Sequence, residues 1–521
     1  MCLPMNTEIL IPADDSVRLL SGIVERMNLA ALYATYSEEG RNEYSPRLLL
    51  KICVYGYSRK IISSRALERA CYENLKFMYL LEGTAAPDHN TIARFRSVHL
   101  ATVQDEMMQE MTRVLMDMDE VSFEKSAVFI DGTKIESVGN RYKFVWKKSV
   151  QKNYLKLQDQ IRQTLPEYLN LTGIRFYVRD EIKVKHLKKL RKQICCKMEQ
   201  LGIVRVYGCG HRKNILQKFA EKVEEWTARL KSYLNSIRIC GERNSYCKTD
   251  HEATFMRMKE DRMLNGQLKP GYNVNVATVS EYVVGTYVSA DRSDVGTFIP
   301  FMEKLSCYPI RRVTVDSGYE SEANYRYVEA HSNIDLYVKP SNFEQKKTRK
   351  YRTDISRREN MTYDAATDSY ICHEGHSLNT AGIRRTKTAS GYVSEKTIYE
   401  CSNCTGCPVK EACIKSRSKT SLEDRNKRLE VSKYFSQQRD AMEEKISTEE
   451  GKQLRMNRSI QAEGVFAYTK TDLEFRRFMT KGTVKVGAEW TLLAMAYNIL
   501  RLHHKAQNNR LGTHLFALKA I

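Results

Sequence analysis

None of the 521 residues falls in an apolar run approaching the roughly 20 needed to cross a bilayer, and no secretory leader is visible at the N-terminus. The 14 cysteines are too scattered in so long a chain to form a disulfide scaffold, which points to a reducing compartment. A cytosolic protein without membrane partners is expected. Acid is also in short supply: 63 Asp and Glu face 84 Lys and Arg, leaving a net charge of +21. Such a surplus is the footprint of a nucleic-acid binder, because neutralising phosphates supplies most non-specific affinity. The length allows about two to four domains with an ample core.

What is present is organised around residues 127–136, AVFIDGTKIE. Val128, Phe129 and Ile130 have strong β character, and Asp131-Gly132 follows at once, so one carboxylate stands at the mouth of a sheet. Residues 312–319, RVTVDSGY, repeat the theme and deliver Asp316. Two carboxylates on separate strands suit a divalent cation, which takes oxygen ligands fixed by rigid elements. Either acid alone would more simply cap a strand or begin a turn.

Residues 10–120 read as helical. Asp88 opens the segment IARFR, with Arg94 and Arg96 on its exposed side, as in a helix-turn-helix-like DNA reader or a plain bundle. A lysine-rich helical insertion covers about 144–240, either a DNA-contacting arm, a partner-helix surface or a solvated two-helix hairpin. A Lys269-Pro270-Gly271 turn then precedes a hairpin of 272–278 with 282–289. The order helix, strand, helix, strand over 294–338 completes a mixed α/β sheet. Residues 341–450 form a basic insertion with Cys372, Cys401, Cys404, Cys407 and Cys413 at metal-like spacings. A structural Zn²⁺ on Cys372, Cys404, Cys407 and Cys413 is expected; Cys401 is the alternative, and His373 and His376 remain open as ligands.

In the C-terminal region Glu463 and Lys470 are seven apart, hence on one helix face, with Arg458, Arg476 and Arg477 nearby. Among the other acids there, Glu474 has a simple explanation as an i,i+4 partner of Lys470. Glu489, at the start of an apolar terminal helix, is explained by the macrodipole. Asp472, nine residues after Glu463, points to the opposite face. Glu463 alone has no such explanation; with Lys470 it could meet a metal and a DNA backbone, or simply belong to a solvated basic face.

VFIDGTKIE, TVDSGYES and RSIQAEGVFAYTK…FRRF…KG, in that order, resemble the DDE transposases of bacterial insertion sequences. The resemblance covers nearly the whole chain and includes SPRLLLKICVYGY, PDHNTIARFR, KTDHEATFMRMKED, GYNVNVAT and the Cys-rich insertion. It implies an RNase H-like core with a helical N-terminal domain, a helical insertion and a zinc-ribbon-like insertion. The implied domains are a DNA-binding 1–120, a first core part 121–340, the zinc insertion 341–450 and core-completing helices 451–521. It further implies Asp131, Asp316 and Glu463 as ligands of two Mg²⁺ (Mn²⁺ as the alternative), with Lys134, Arg458, Lys470, Arg476 and Arg477 on DNA. Asp131 would stand on the first core strand, Asp316 at the end of the fourth and Glu463 on the helix after the last. The partners would be transposon ends and target DNA, held by a homodimer, with no small-molecule substrate. The alternatives are a metal-dependent nuclease of the same fold and a non-catalytic DNA-binding protein.

Overall fold

Side-chain oxygens open the N-terminal helices. Asp15 accepts from the Val17 N–H ahead of Ser16–Arg26, Ser63 from Ala66 ahead of Ser64–Glu73, and Asp88 from Asn90 and Thr91 ahead of His89–Arg94. Pro46 occupies the first turn of Pro46–Ser58, where its missing N–H has no partner to lose. The computed structural model describes residues 10–37, 44–208, 212–258, 266–331, 333–388, 391–416, 418 and 420–515. Residues 38–43 of the N-terminal segment, 259–261 of KTDHEATFMRMKED, and Arg417 and Lys419 lie outside the described residues.

Arg96 corrects the sequence reading. A π-helical turn, Phe95–His99, follows His89–Arg94 and turns the guanidinium inward. It is 7 % exposed and donates to the Tyr57 hydroxyl, the Ile62 carbonyl and the Ser64 hydroxyl. Of the two arginines only Arg94 is exposed.

The chain divides into two units, residues 1–135 with 272–521, and residues 136–271. β1 (Val128–Glu136) begins the sheet in the larger unit. The smaller unit contains β2 (Phe144–Trp146) antiparallel to β3 (Ser245–Cys247), and β4 (Thr254–Arg257). Its helical part is three helices rather than a two-helix hairpin: Lys147–Thr172, Val184–Gln200 and Ile215–Cys240. Their facing apolar rows, among them Leu157, Ile161, Leu190, Ile194, Phe219 and Trp226, form one core of their own.

β5 (Leu268–Val279) takes in the expected Lys269-Pro270-Gly271 turn: Pro270 lies in the strand opposite Phe255 of β4. β5 then pairs antiparallel with β6 (Tyr282–Ser289) through a two-residue turn at Ser280 and Glu281, both at positive φ. After a short helix, Phe298–Lys304, come β7 (Arg312–Val315), the helix Glu322–Ala330 and β8 (Asp335–Val338). In the larger unit the strand order is β6-β5-β1-β7-β8, with β1, β7 and β8 parallel. The terminal helix, Thr483–Gln507, docks on β5 and β6. Trp490 donates to the Asn275 carbonyl, and the Asn498 amide exchanges hydrogen bonds with the Val283 backbone.

Residues 362–431 form a separate antiparallel sheet of β9 (Thr362–Asp364), β10 (Ser369–Ile371), β11 (Ser377–Lys387), β12 (Val393–Cys401) and β13 (Arg428–Val431). Its buried core is small: Leu378, Tyr399, Cys401, Cys404 and Val431. Among the described residues no helix is long and apolar enough to cross a membrane.

Candidate active site

Asp131 lies on β1, and Asp316 directly follows β7, its parallel neighbour. Val128, Phe129 and Ile130 face Val313, Thr314 and Val315, so one further step of the same register sets Asp131 beside Asp316. Asp316 keeps extended backbone (φ −78°, ψ 167°) as β7 ends, which carries the alignment through to the second acid. Asp131 is 7 % exposed and accepts from the Gly132 N–H at 2.8 Å.

Glu463 stands on the long helical segment that starts as Glu449–Arg458. The segment continues as a π turn, Ser459–Glu463, one α turn, Gly464–Ala467, and a second π turn, Tyr468–Asp472. A π turn takes i→i+5 hydrogen bonds, so it brings residues five apart onto one face. Arg458 and Glu463 are five apart, and their side chains meet at 2.9 Å. The same guanidinium lies 3.5 Å from an Asp131 carboxylate oxygen. Ser459 donates to the other Glu463 oxygen at 3.2 Å. Further along, Lys470 donates to the Thr133 hydroxyl at 2.8 Å. Asp131 and Thr133 are two apart on β1 and share a face, so the segment crosses that face with one cation over each.

Of the other expected contacts, Lys134 is half-buried on the alternate side of β1, and Arg476 and Arg477 are exposed beyond the helical segment. Glu474 is corrected: at φ +55° the helix has ended, and it pairs with Lys60 at 2.7 Å instead of Lys470. Glu489 is corrected as well. It lies in the second turn of its helix, buried, and accepts from the backbone of Met479 and Thr480 and from the Thr480 hydroxyl. Burial holds its carboxyl above the usual range. It serves the 479–480 turn, and the macrodipole is not needed to explain it.

Four residues that the sequence does not single out by themselves, Asn273, Asn275, Asp294 and Tyr319, surround the pair of aspartates. Asn273 donates to Asp294 at 2.6 Å, and the Tyr319 hydroxyl donates to Asn275 at 2.5 Å. A Cβ on Gly132 would fall 2.9 Å from Asp294 and Tyr319 oxygens and 3.0 Å from Asn275, and one on Gly318 would fall 3.1 Å from Asp294. The glycines next to the first aspartate and two beyond the second therefore leave room for Asp294. Burial, together with the charges of Asp294, Asp131 and Asp316, pushes the Tyr319 phenol well above its ordinary value. The phenol therefore stays a proton donor. The signal for Asn273 and Asn275 is NVN at 273–275, polar residues at period two within a buried stretch of β5.

The oxygen-only donors Asp131, Asp316 and Glu463 have the chemistry of a hard-cation site. Cys372, Cys404, Cys407 and Cys413 line one small cavity with Cys401, His373 and His376. The sulfurs of Cys372 and Cys404 each accept a backbone N–H at 3.3 Å, from His376 and Lys427. The Cys401 thiol instead donates to the Asn403 carbonyl and is pushed up to about 11, first by burial. Among the described residues no group of three or more His, Cys, Asp or Glu stands together closely enough to hold a metal ion.

Two family models match the chain. Residues 371–503, which contain the Glu463 segment and the cysteines, match a transposase DDE domain. Residues 5–98 match a transposase domain (DUF772). No curated protein and no solved structure matches.

Proposed function

From the premise that a chain carrying these two segments is a DDE transposase of insertion-sequence type, we propose that it cleaves DNA at the ends of a mobile element and joins the freed 3′-hydroxyls to target DNA. The order β6-β5-β1-β7-β8 supports an RNase H-like reading of the core. The observation that carries the catalytic reading is the side-by-side register of Asp131 and Asp316, with Glu463 joined to Asp131 through Arg458.

Asp131, Asp316 and Glu463 would hold Mg²⁺, which when bound supplies Lewis-acid stabilisation of charge on the oxygens of the reacting phosphate. The chain's own residues do the rest. Arg458 fixes the direction of the Glu463 carboxylate. Lys470, over Thr133, offers its ammonium to a non-bridging phosphate oxygen as a point charge. Hydrogen bonds from Asn273 and Tyr319 brace the ends of the strands, so the acids are held before DNA arrives. A structural Zn²⁺ on Cys372, Cys404, Cys407 and Cys413 would staple an insertion whose apolar core is small.

The test is a single-turnover assay with Mg²⁺ on duplexes that carry a candidate end, both intact and pre-cleaved. Strand-transfer products from pre-cleaved ends are expected with the natural chain and not with Asp131→Asn, Asp316→Asn or Glu463→Gln. DNA binding should survive in all three. Cleavage without transfer would mean a nuclease, and wild-type cleavage in any of the variants would remove that acid from the site.

A further inference from the structure

Resting on the reading of the chain as a DNA-handling enzyme, we propose that the unit of residues 136–271 is a sequence-independent clamp for the backbone of duplex DNA, gripping it with lysine stripes on its first two helices. The charge of the protein is concentrated there. Residues 136–271 hold 30 Lys and Arg against 14 Asp and Glu, a surplus of 16 out of the chain's 21.

The carboxylates of this unit are unevenly spread. Glu221, Glu224 and Glu225 all lie on the third helix, Ile215–Cys240, where they pair with Lys213, Arg191, Arg205, Lys222 and Arg229. On the first helix the two acids, Asp159 (paired with Arg162) and Glu167, come after the lysines. Lys148, Lys152 and Lys156 recur every four residues along about 12 Å of its surface, all exposed. On the second helix Lys185, Lys188, Lys189 and Lys192 make a similar stripe about 10 Å long, also exposed. Each stripe lies away from its helix's buried row, Leu157, Ile161 and Leu165 on the first and Leu187, Leu190 and Ile194 on the second. Among the described residues none of these seven ammoniums has an ion-pair partner.

Like charges at i,i+4 work against a helix, and lysines closer together than a Debye length of about 8 Å repel one another in solution. A row of phosphates relieves both. The same unit exposes Tyr177 and Tyr207 at 78 % and 72 %, and tyrosine hydroxyls are among the groups that bond phosphate oxygens. An anionic membrane would satisfy the charge too. A surface-lying helix, however, needs an apolar face to bury in the lipid, and here those faces are spent on the three-helix core.

The experiment titrates the full-length chain against a fluorescent duplex of arbitrary sequence at rising salt. Lys185→Ala, Lys188→Ala, Lys189→Ala and Lys192→Ala are combined in one variant, and Lys148→Ala, Lys152→Ala and Lys156→Ala in a second. Circular dichroism confirms the helices in each. The salt slope of log affinity should shrink by about 0.9 for each lysine on a phosphate, so by about 3 in either variant. Affinity at low salt should fall more than tenfold, whatever the sequence. Lysine-to-arginine versions of both should keep the wild-type slope. An unchanged slope in the alanine variants, an equal loss in the arginine versions, or tighter binding to phosphatidylserine vesicles than to duplex would overturn the clamp. If the natural chain itself ignored DNA, the proposed function would fall first; an intact wild-type affinity with an unchanged variant slope sinks the clamp alone.

Discussion

Arg458 reaches Glu463 from five residues away, across a single π-helical turn. In an uninterrupted α-helix a residue five positions back lies about 140° round the axis from its neighbour, and the two would face apart. The π turn absorbs the extra residue and lets one guanidinium touch Asp131 and Glu463 together.

Removing that guanidinium should therefore misdirect the Glu463 carboxylate without unfolding the protein. Arg458→Ala breaks an ion pair to a half-exposed carboxylate, worth up to about 1 kcal/mol, so single-turnover cleavage should slow by up to about fivefold. Arg458→Lys, which cannot touch both carboxylates with one planar group, should recover only part of the loss. A wild-type rate in Arg458→Ala would show that Glu463 is held by something else.

Gly132 is a packing requirement. A methyl group there would meet Asp294, Tyr319 and Asn275 within about 3 Å, and overpacking of this kind costs about 1–3 kcal/mol. Gly132→Ala should lower the thermal midpoint by several degrees and depress cleavage further than stability explains. Gly464→Ala, where a Cβ meets nothing within 4 Å, is the control and should change the midpoint little.

Glu489 predicts a pH dependence. Its folded-state carboxyl is raised by burial, so folding favours its protonated form. Its contribution is fully present below the ordinary value of 4.5 and is lost as pH rises through the raised folded value. Glu489→Gln cannot titrate, and the difference in thermal midpoint between wild type and variant, followed upward from pH 4.5, should show this loss in the wild type alone. A pH-independent difference would contradict it. At low pH the variant should still be less stable, by about 1–3 kcal/mol, because one amide oxygen cannot serve all the donors of Met479 and Thr480.

The cysteines should divide by how their sulfurs are bonded. Cys404→Ser is expected to lose zinc by elemental analysis and loosen residues 362–431 to proteolysis. Cys401→Ser, whose thiol already donates to a carbonyl, should keep one zinc per chain. Loss from both, or zinc in neither the natural chain nor its variants, would refute the assignment of Cys372, Cys404, Cys407 and Cys413.

By itself the sequence determined the local features: apolar strands running into Asp131 and Asp316, capped helices before residue 120, the cysteine spacing and the surplus of charge. Each depends on neighbours within a few residues. Tertiary structure decided the rest. The pairing of Asp131 with Asp316 depends on a register between strands 185 residues apart. The inward turn of Arg96 and the meeting of Arg458 with Glu463 depend on π turns that no spacing rule for a regular helix foresees. Helix spacing points Glu474 to Lys470 and Glu489 to the helix macrodipole, yet Lys60 and the 479–480 turn hold them. Asp294 packs close to Gly132 and Gly318, positions where a side chain would meet it. Hydrogen bonds and charges act over a few ångströms of space, and the separation along the chain that a sequence displays is silent about them once the chain has folded.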